Sequence, residues 1–541
     1  MLFPTLDYLL FLPAAVLLYW LVPYRARLAV LALASILFYA SWRVEYLFVL
    51  LAVIGVAWSG ALLLEKRRKS GLPLTSSYAV IIPLLLAPLL VFKYWNWLAQ
   101  DLQAFLTEFG LALSLPNMEL PLPIGISFFT FQALAYLIDV GRRDPAERNF
   151  LRFFTFVGFF PQLVAGPIVR RSELLPQLER LGGLVQGQVG QGLFRIGRGL
   201  FKKIVLADIL RVGIVDPLFT DPENFTGIEL LIGLYAYTLQ IYYDFSAYTD
   251  IAIGSGLLFG ITLPENFRRP YKALNVTDFW RRWHITLSLW VRHYVYFPMG
   301  GARGAAVRVY FNLLCVFIII GVWHGASWSF VLYGVLHGLA MMVNRWFRKR
   351  HGRDPEELPT GPTSPRVAFS VAGVFATLAG LLAASGSTTG GMLVVAIGLL
   401  VFVLWDWWPR LWRIALTLHF IVLARILFRA EDFASSRVYF QGVMDIGTDA
   451  LLMPRFSLLA LGILVVGFLI HFSPDSWQRW LEGVFAGRLD SDAPAPLRTL
   501  AAGPMRNSWA PVLWALALAG VAGMCLTLGT GEQLSFIYYS F

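Results

Sequence analysis

Cysteine is nearly absent: the chain has two in 541 residues, Cys315 and Cys525, both inside apolar runs. That excludes a disulfide framework and a CxxC pair, and leaves them as small packing residues, with thioester chemistry on either a minor alternative. Charge is also scarce, at 14% of residues against 57% hydrophobic and 15% aromatic, and the mean hydropathy is +0.64. Such a balance excludes a soluble globular chain and describes a polytopic membrane protein. There is no HExxH, no His/Asp/Glu cluster at ligand spacing, no P-loop lysine motif and no GxSxG. No metal site, nucleotide hydrolysis or serine hydrolase is therefore expected. Internal repeats and a separate soluble domain are missing too. Met1-Leu2-Phe3-Pro4 lacks a basic n-region, so the first apolar run is expected to stay as a helix.

The charge that is present is mostly basic, with a net +11, and falls in short clusters between apolar spans. These clusters read as topology signals and lipid-headgroup contacts, and no nucleic-acid partner is expected. Apolar crossings are predicted at 5–22, 27–43, 45–64, 78–97 and 122–140. Arg25 and Arg27, the run Lys66 to Lys69, and Arg142, Arg143 and Arg148 follow the first, third and fifth of these. All three clusters belong on one side, the cytoplasm, which puts the N-terminus outside.

The segment 150–167 is broken by Pro161, Gly166 and Pro167 and reads as re-entrant or in-plane. Residues 190–211 read as an amphipathic surface helix feeding a crossing. The region 275–308 interleaves Arg281, Arg282, Arg292, Arg303 and Arg308 with Trp280, Trp283, Trp290, Tyr294, Tyr296 and Phe297. It suits cytoplasmic in-plane helices with aromatic rings at headgroup level, serving either as simple anchors or as a docking surface for an anionic donor. Further crossings are expected near 366–385, 390–407, 410–428, 455–473 and 508–529. The expected fold is thus all-α and polytopic, with about 11–14 transmembrane helices and re-entrant and in-plane helices around a central funnel. Three regions follow: N-terminal helices (1–120), a core (121–346), and C-terminal helices with an extracytoplasmic tail (347–541).

Within that core, Val309 to Trp346 is apolar almost throughout yet carries Trp323-His324-Gly325 near its middle. It is long enough for a hairpin of two short helices, with an arm before His324 of about 21 Å at 1.5 Å per residue. An ionisable group there is a functional candidate, the plain alternative being a histidine hydrogen-bonded to a neighbouring helix. His337, thirteen residues on, would lie about 20 Å away along a single helix axis, lining a path or packed as a satisfied polar group. His284 falls among the cytoplasmic aromatics, toward the opposite end from an outer acceptor. Asp244 and Asp250, six apart in one apolar run, need hydrogen-bond or cationic partners and do not form a dyad; bonding to Tyr, Ser or Arg is expected.

Five stretches carry a resemblance: PIGISFFTFQALAYLIDV (123–140), PQLVAGPIVRRSELLPQL (161–178), YYDFSAYTDIAIGSGLLFGITLPENFRRPY (242–271), FWRRWHITLSLWVRHYVYFPMGG (279–301) and GVWHGASWSFVLYGVLHG (321–338). In order and spacing the chain resembles a bacterial membrane-bound O-acyltransferase of the alginate O-acetylation branch. The resemblance implies that His324 is the essential intramembrane histidine and His284 a second polar site toward the donor. Two departures stand out: His293 where the branch usually has an acidic residue, and an added pair of helices within 366–407, before the FRAEDF segment (428–433).

The expected enzyme passes an acyl group, in the first instance acetyl, from a cytoplasmic thioester to an extracytoplasmic hydroxyl for polysaccharide O-acetylation. No bound cofactor is expected; acetyl-coenzyme A, or an acyl carrier protein, is the donor. An alcohol is a poor nucleophile without a base, and neutral His324 would take its proton. Arg281, Arg282, Trp283, Asp244 and His337 are candidates for the donor side, while Trp323 and Trp328 would wall the site. The tail Phe536 to Phe541 resembles the C-terminal motif of the small protein serving teichoic-acid D-alanylation. Tyr538 is accordingly a candidate acyl carrier, or else an interfacial aromatic anchor. A separate extracytoplasmic acyltransferase or esterase-like protein is the expected partner, and the bacterial inner membrane the expected location. Alternatives are D-alanyl or longer acyl transfer from a carrier protein, and a transporter with an intramembrane His/Asp path.

Overall fold

The computed structural model describes residues 3, 5–111, 114–118, 120–183, 185, 187–351, 408–430, 433–444 and 456–485. These residues are helical, with no strand among them. The first helices, Leu6–Leu21, Arg27–Ala40, Glu45–Lys69, Thr75–Glu108 and Ile126–Arg142, fall where the apolar runs place them. Pro161 and Gly166 break the next segment as expected, into Phe150–Gly158 and Phe160–Leu163.

Many elements pack around one 32-residue helix, Gly227–Leu258, whose side chains are buried over most of its length. Thr226 and Glu229 start it with a capping box, each side chain meeting the other's backbone N–H. The amphipathic helix Gln188–Phe201 lies along it at backbone contact: a Cβ on Gly192 would meet Gly254 O, and one on Gly199 would meet Ala247 O. Tyr8 of the first helix reaches the same helix at Ser255, at 2.6 Å.

Among the described residues four helices are long and apolar enough to cross a membrane: Glu45–Lys69, Thr75–Glu108, Ala306–His324 and Arg410–Arg429. Leu458–Phe472 with Asp475–Gly483 is a fifth only if counted through its 86° bend. The crossings expected at 366–385, 390–407 and 508–529 lie outside the described residues. Arg27–Ala40 has only 14 residues, about 21 Å of helix. A bundle with such short members reaches across a bilayer by thinning it locally or by snorkelling of the flanking residues.

Two expectations are corrected here. The central hairpin is not made of short helices: its arms, Ala306–His324 and Trp328–His351, have 19 and 24 residues. The first arm starts at Ala306, takes in Arg308 and spans about 28 Å, so His324 lies at a helix end. The aromatics of 275–308 are not headgroup anchors either. Trp280, Trp283, Trp290 and Tyr294 are all buried, because the short helices Val276–Arg282 and Ile285–Val291 tuck their rings into the core; Phe297 stays exposed.

Candidate active site

The hairpin breaks at Gly325, whose backbone is extended and whose missing Cβ leaves room for the Phe330 ring. A helix ending inside a protein leaves carbonyls to satisfy. Here the Lys93 ammonium donates to Trp323 O and His324 O, and the Tyr94 hydroxyl donates to Val322 O at 3.0 Å. Both donors come from the Thr75–Glu108 helix, which thereby pins the break. His324 itself is 2% exposed, with the rings of Trp323 at 4.8 Å, Phe428 at 4.9 Å, Tyr333 at 6.2 Å and Phe330 at 6.5 Å.

His284 does not sit at the far end from His324. It is fully buried and its ring lies 5.4 Å from that of Trp323, so a single indole separates the two histidines. The in-plane segment folds inward after Trp283 and carries His284 with it. The single-axis distance to His337 is likewise superseded. The helix break lies between His324 and His337, and the second arm folds back so that the Tyr333 ring contacts both, at 6.2 and 4.4 Å. His337 accepts a hydrogen bond at Nδ1 from Trp280 Nε1–H at 3.3 Å.

Arg425, on the Trp408–Arg429 helix, is 0% exposed and stacks over Trp283 at 4.8 Å and Phe428 at 5.2 Å. Tyr333 and Tyr271 both bring hydroxyls to it. The guanidinium thus ties Trp283 to the ring that touches His324.

Two cavities flank this wall. One, of about 530 Å³, has Gly325, Ala326, Ser327, Phe330 and Phe428 beside Lys93, Arg211, Asp216 and Gln240. The other, of about 440 Å³, is strongly basic, with Arg195, Arg198, Lys202, Arg268, Arg269 and Arg282 facing Asp250, Glu265, Asp475 and Glu482. Both touch the helical run from Gln188 to Thr220, the basic one at Arg195, Arg198 and Lys202 and the other farther along, at Arg211 and Asp216. On the central helix their linings meet at Gln240 and Tyr242.

The remaining predicted residues divide. Trp323 walls the site at 4% exposure, and Trp283 lies beneath Arg425. Arg282 lines the basic cavity, while Arg281 is exposed and does not line it. Trp328 does not wall the site: it is 60% exposed, and its Nε1–H donates to Asp101 at 2.9 Å. Asp244 does not face the basic cavity; it is buried against Lys203 at 2.7 Å. Asp250 meets Arg195, Arg198 and Lys202, so the main partners of both carboxylates are cations of the amphipathic helix and of the turn that follows it. His293 is held locally, its ring 2.7 Å from Leu289 O. Tyr538 lies outside the described residues. Among the described residues no group of His, Cys, Asp and Glu is arranged to hold a metal.

Three residues escaped the sequence reading: Lys93, Arg425 and Asn266. The first two were visible as lone cations inside apolar runs, a signal passed over in favour of the basic clusters between the runs. Asn266, within PENFRRPY, had no signal of its own.

The family model for membrane-bound O-acyltransferases matches residues 35–355. The chain is similar to the probable alginate O-acetylase AlgI of Azotobacter vinelandii, with 40% identity across 63% of this chain and 67% of that one. It is similar to the peptidoglycan O-acetyltransferase of Helicobacter pylori, with 39% identity across 61% and 67%. The teichoic acid D-alanyltransferase of Bacillus subtilis is more distant, at 29% identity across 42% and 60%. A buried histidine between two cavities, a match over more than half of the sequence and relatives of this kind lead to one conclusion: the chain belongs to the membrane-bound O-acyltransferase family and is an O-acyltransferase.

Proposed function

We propose that the protein transfers an acetyl group from a cytoplasmic thioester, acetyl-coenzyme A, to an extracytoplasmic hydroxyl in a polysaccharide-modification system of the inner membrane. The observation that carries this reading is His324, buried at a helix break whose next residue, Gly325, lines one cavity, with a separate, basic cavity nearby. The basic cavity suits the phosphates of the donor. From the other side comes a hydroxyl, on the polymer, on a partner acyltransferase or on Tyr538.

His324 accepts the proton as the hydroxyl oxygen bonds to the thioester carbonyl carbon. The C–S bond then breaks, and the imidazolium returns the proton to the departing thiolate. Trp323, Phe330, Tyr333 and Phe428 keep water from competing for the thioester.

The test uses the full chain in proteoliposomes with radiolabelled acetyl-coenzyme A. His324→Ala is expected to lower transfer by about 10²–10⁴-fold with unchanged thermal unfolding. Normal transfer in that variant overturns the role of His324. Similarity to the D-alanyltransferase keeps a carrier-fed D-alanyl group as the second reading, and mass analysis of the transferred group separates the two. For the tail, full activity of Tyr538→Phe removes the relay without removing the enzyme.

A further inference from the structure

His284 is one of two non-glycine residues with positive φ among those described, at φ 43° and ψ 57°. That left-handed conformation is strained for a side chain with a Cβ and persists only where its surroundings impose it. The imposing group is Asn266, which is fully buried. Its carbonyl accepts from Ile285 N–H at 2.9 Å, and one step along, Arg268 N–H donates to Arg282 O at 2.9 Å. The PENFRRPY segment is thereby clamped to both sides of His284.

The side chain of Asn266 adds the chemistry. Thr286 N–H points at one atom of its amide, at 3.2 Å, and a backbone N–H only donates, so that atom is the oxygen, Oδ1. The Thr286 hydroxyl agrees: it accepts from Ile168 N–H at 3.0 Å and donates to the same Oδ1 at 2.9 Å. His284 Nδ1 lies 3.1 Å from that oxygen. Two acceptors do not bond, so Nδ1 carries the proton and Nε2 keeps its lone pair.

Nε2, on the ring edge away from Asn266, is buried with no hydrogen-bond partner among the described residues. A buried acceptor left unsatisfied is costly, and such an atom is commonly completed by a ligand. The neighbouring residues say which. Phe267, Arg268 and Arg282 line the basic cavity, and His284 lies directly behind them against the Trp323 ring.

We infer that Asn266 is a positioning residue that locks His284 as the Nδ1–H tautomer, so that Nε2 accepts a hydrogen bond from an amide N–H group on the arm of the thioester donor. The donor contact rests on the function proposed above; the tautomer does not.

Nitrogen NMR of the full chain, labelled with ¹⁵N-histidine in lipid bilayers, tests both parts, with His284→Gln assigning the resonances. In the wild type, His284 is expected to be protonated at Nδ1 and bare at Nε2. Asn266→Asp keeps the acceptor and is expected to keep that tautomer; Asn266→Leu loses it, with size-exclusion behaviour reporting on folding. An Nε2–H tautomer in the wild type, or an unchanged His284 in Asn266→Leu, overturns the lock. Saturating acetyl-coenzyme A is expected to shift the Nε2 resonance of the wild type and not that of Nδ1; no shift at Nε2 overturns the donor contact. Donor turnover should be rescued by Asn266→Asp relative to Asn266→Leu by at least about tenfold, a 1.4 kcal/mol difference.

Discussion

A lone cation inside an apolar run has two very different fates, and Arg425 shows the rarer one. Arginine stacks through a flat, delocalised face, which lysine lacks. Arg425→Lys is therefore expected to keep the charge yet lose the contacts with Trp283 and Phe428, about 1–2 kcal/mol of stability in thermal unfolding. Acyl transfer should fall with it, since Phe428 touches His324. Lys93→Met leaves the carbonyls of Trp323 and His324 without their ammonium, and the helix end should fray; faster amide exchange confined to 321–325 is the expected signature. Sequence made His324 legible because a titratable group in an apolar run has few explanations. It misled about His284, because the flanking Arg281 and Arg282 advertise a surface while the backbone turns the next two side chains inward.

At the scale of the helix, glycine decides how closely the hairpin arms approach. A Cβ on Gly321 would strike Phe330 O, one on Gly334 would strike Phe317 O, and one on Gly338 would press on Leu314. Gly334 and Gly338 form the small-xxx-small spacing that lets helices touch where water supplies no hydrophobic force. Gly334→Ala is expected to cost about 1–3 kcal/mol in thermal unfolding and to lower activity by displacing His324. Helix positions were readable from apolar runs and breaks from Pro161 and Gly325, while the capping box of Thr226 and Glu229 that starts the central helix went unread. Arm lengths were less readable, because Arg308 lies within the first helix and charge was taken as a boundary.

For the whole molecule, ion pairs join what the linear order separates. Asp250 holds Arg195, Arg198 and Lys202, and Glu482 reaches Arg195 and Arg198 from a helix more than 200 residues away. Asp250→Asn leaves three poorly exposed cations around an amide and should cost about 3–5 kcal/mol in thermal unfolding. The remaining basic surface of this cavity implies a donor KM that rises with ionic strength, measurable between low and physiological salt. Neither cavity was legible in advance, since each draws residues from helices far apart in the chain. Only the basic character of one of them was foreseen, through Arg282.

The layer of Trp283, Arg425, Tyr271, Tyr333 and Phe428 has a consequence outside the reaction. On the function proposed above, the two cavities would approach each other from opposite faces of a membrane that stores energy as a proton gradient, and this layer would then act as the electrical insulation between them. Truncating Phe428 to alanine is expected to make proteoliposomes leak protons under an imposed gradient, as a pH-sensitive dye trapped inside would report.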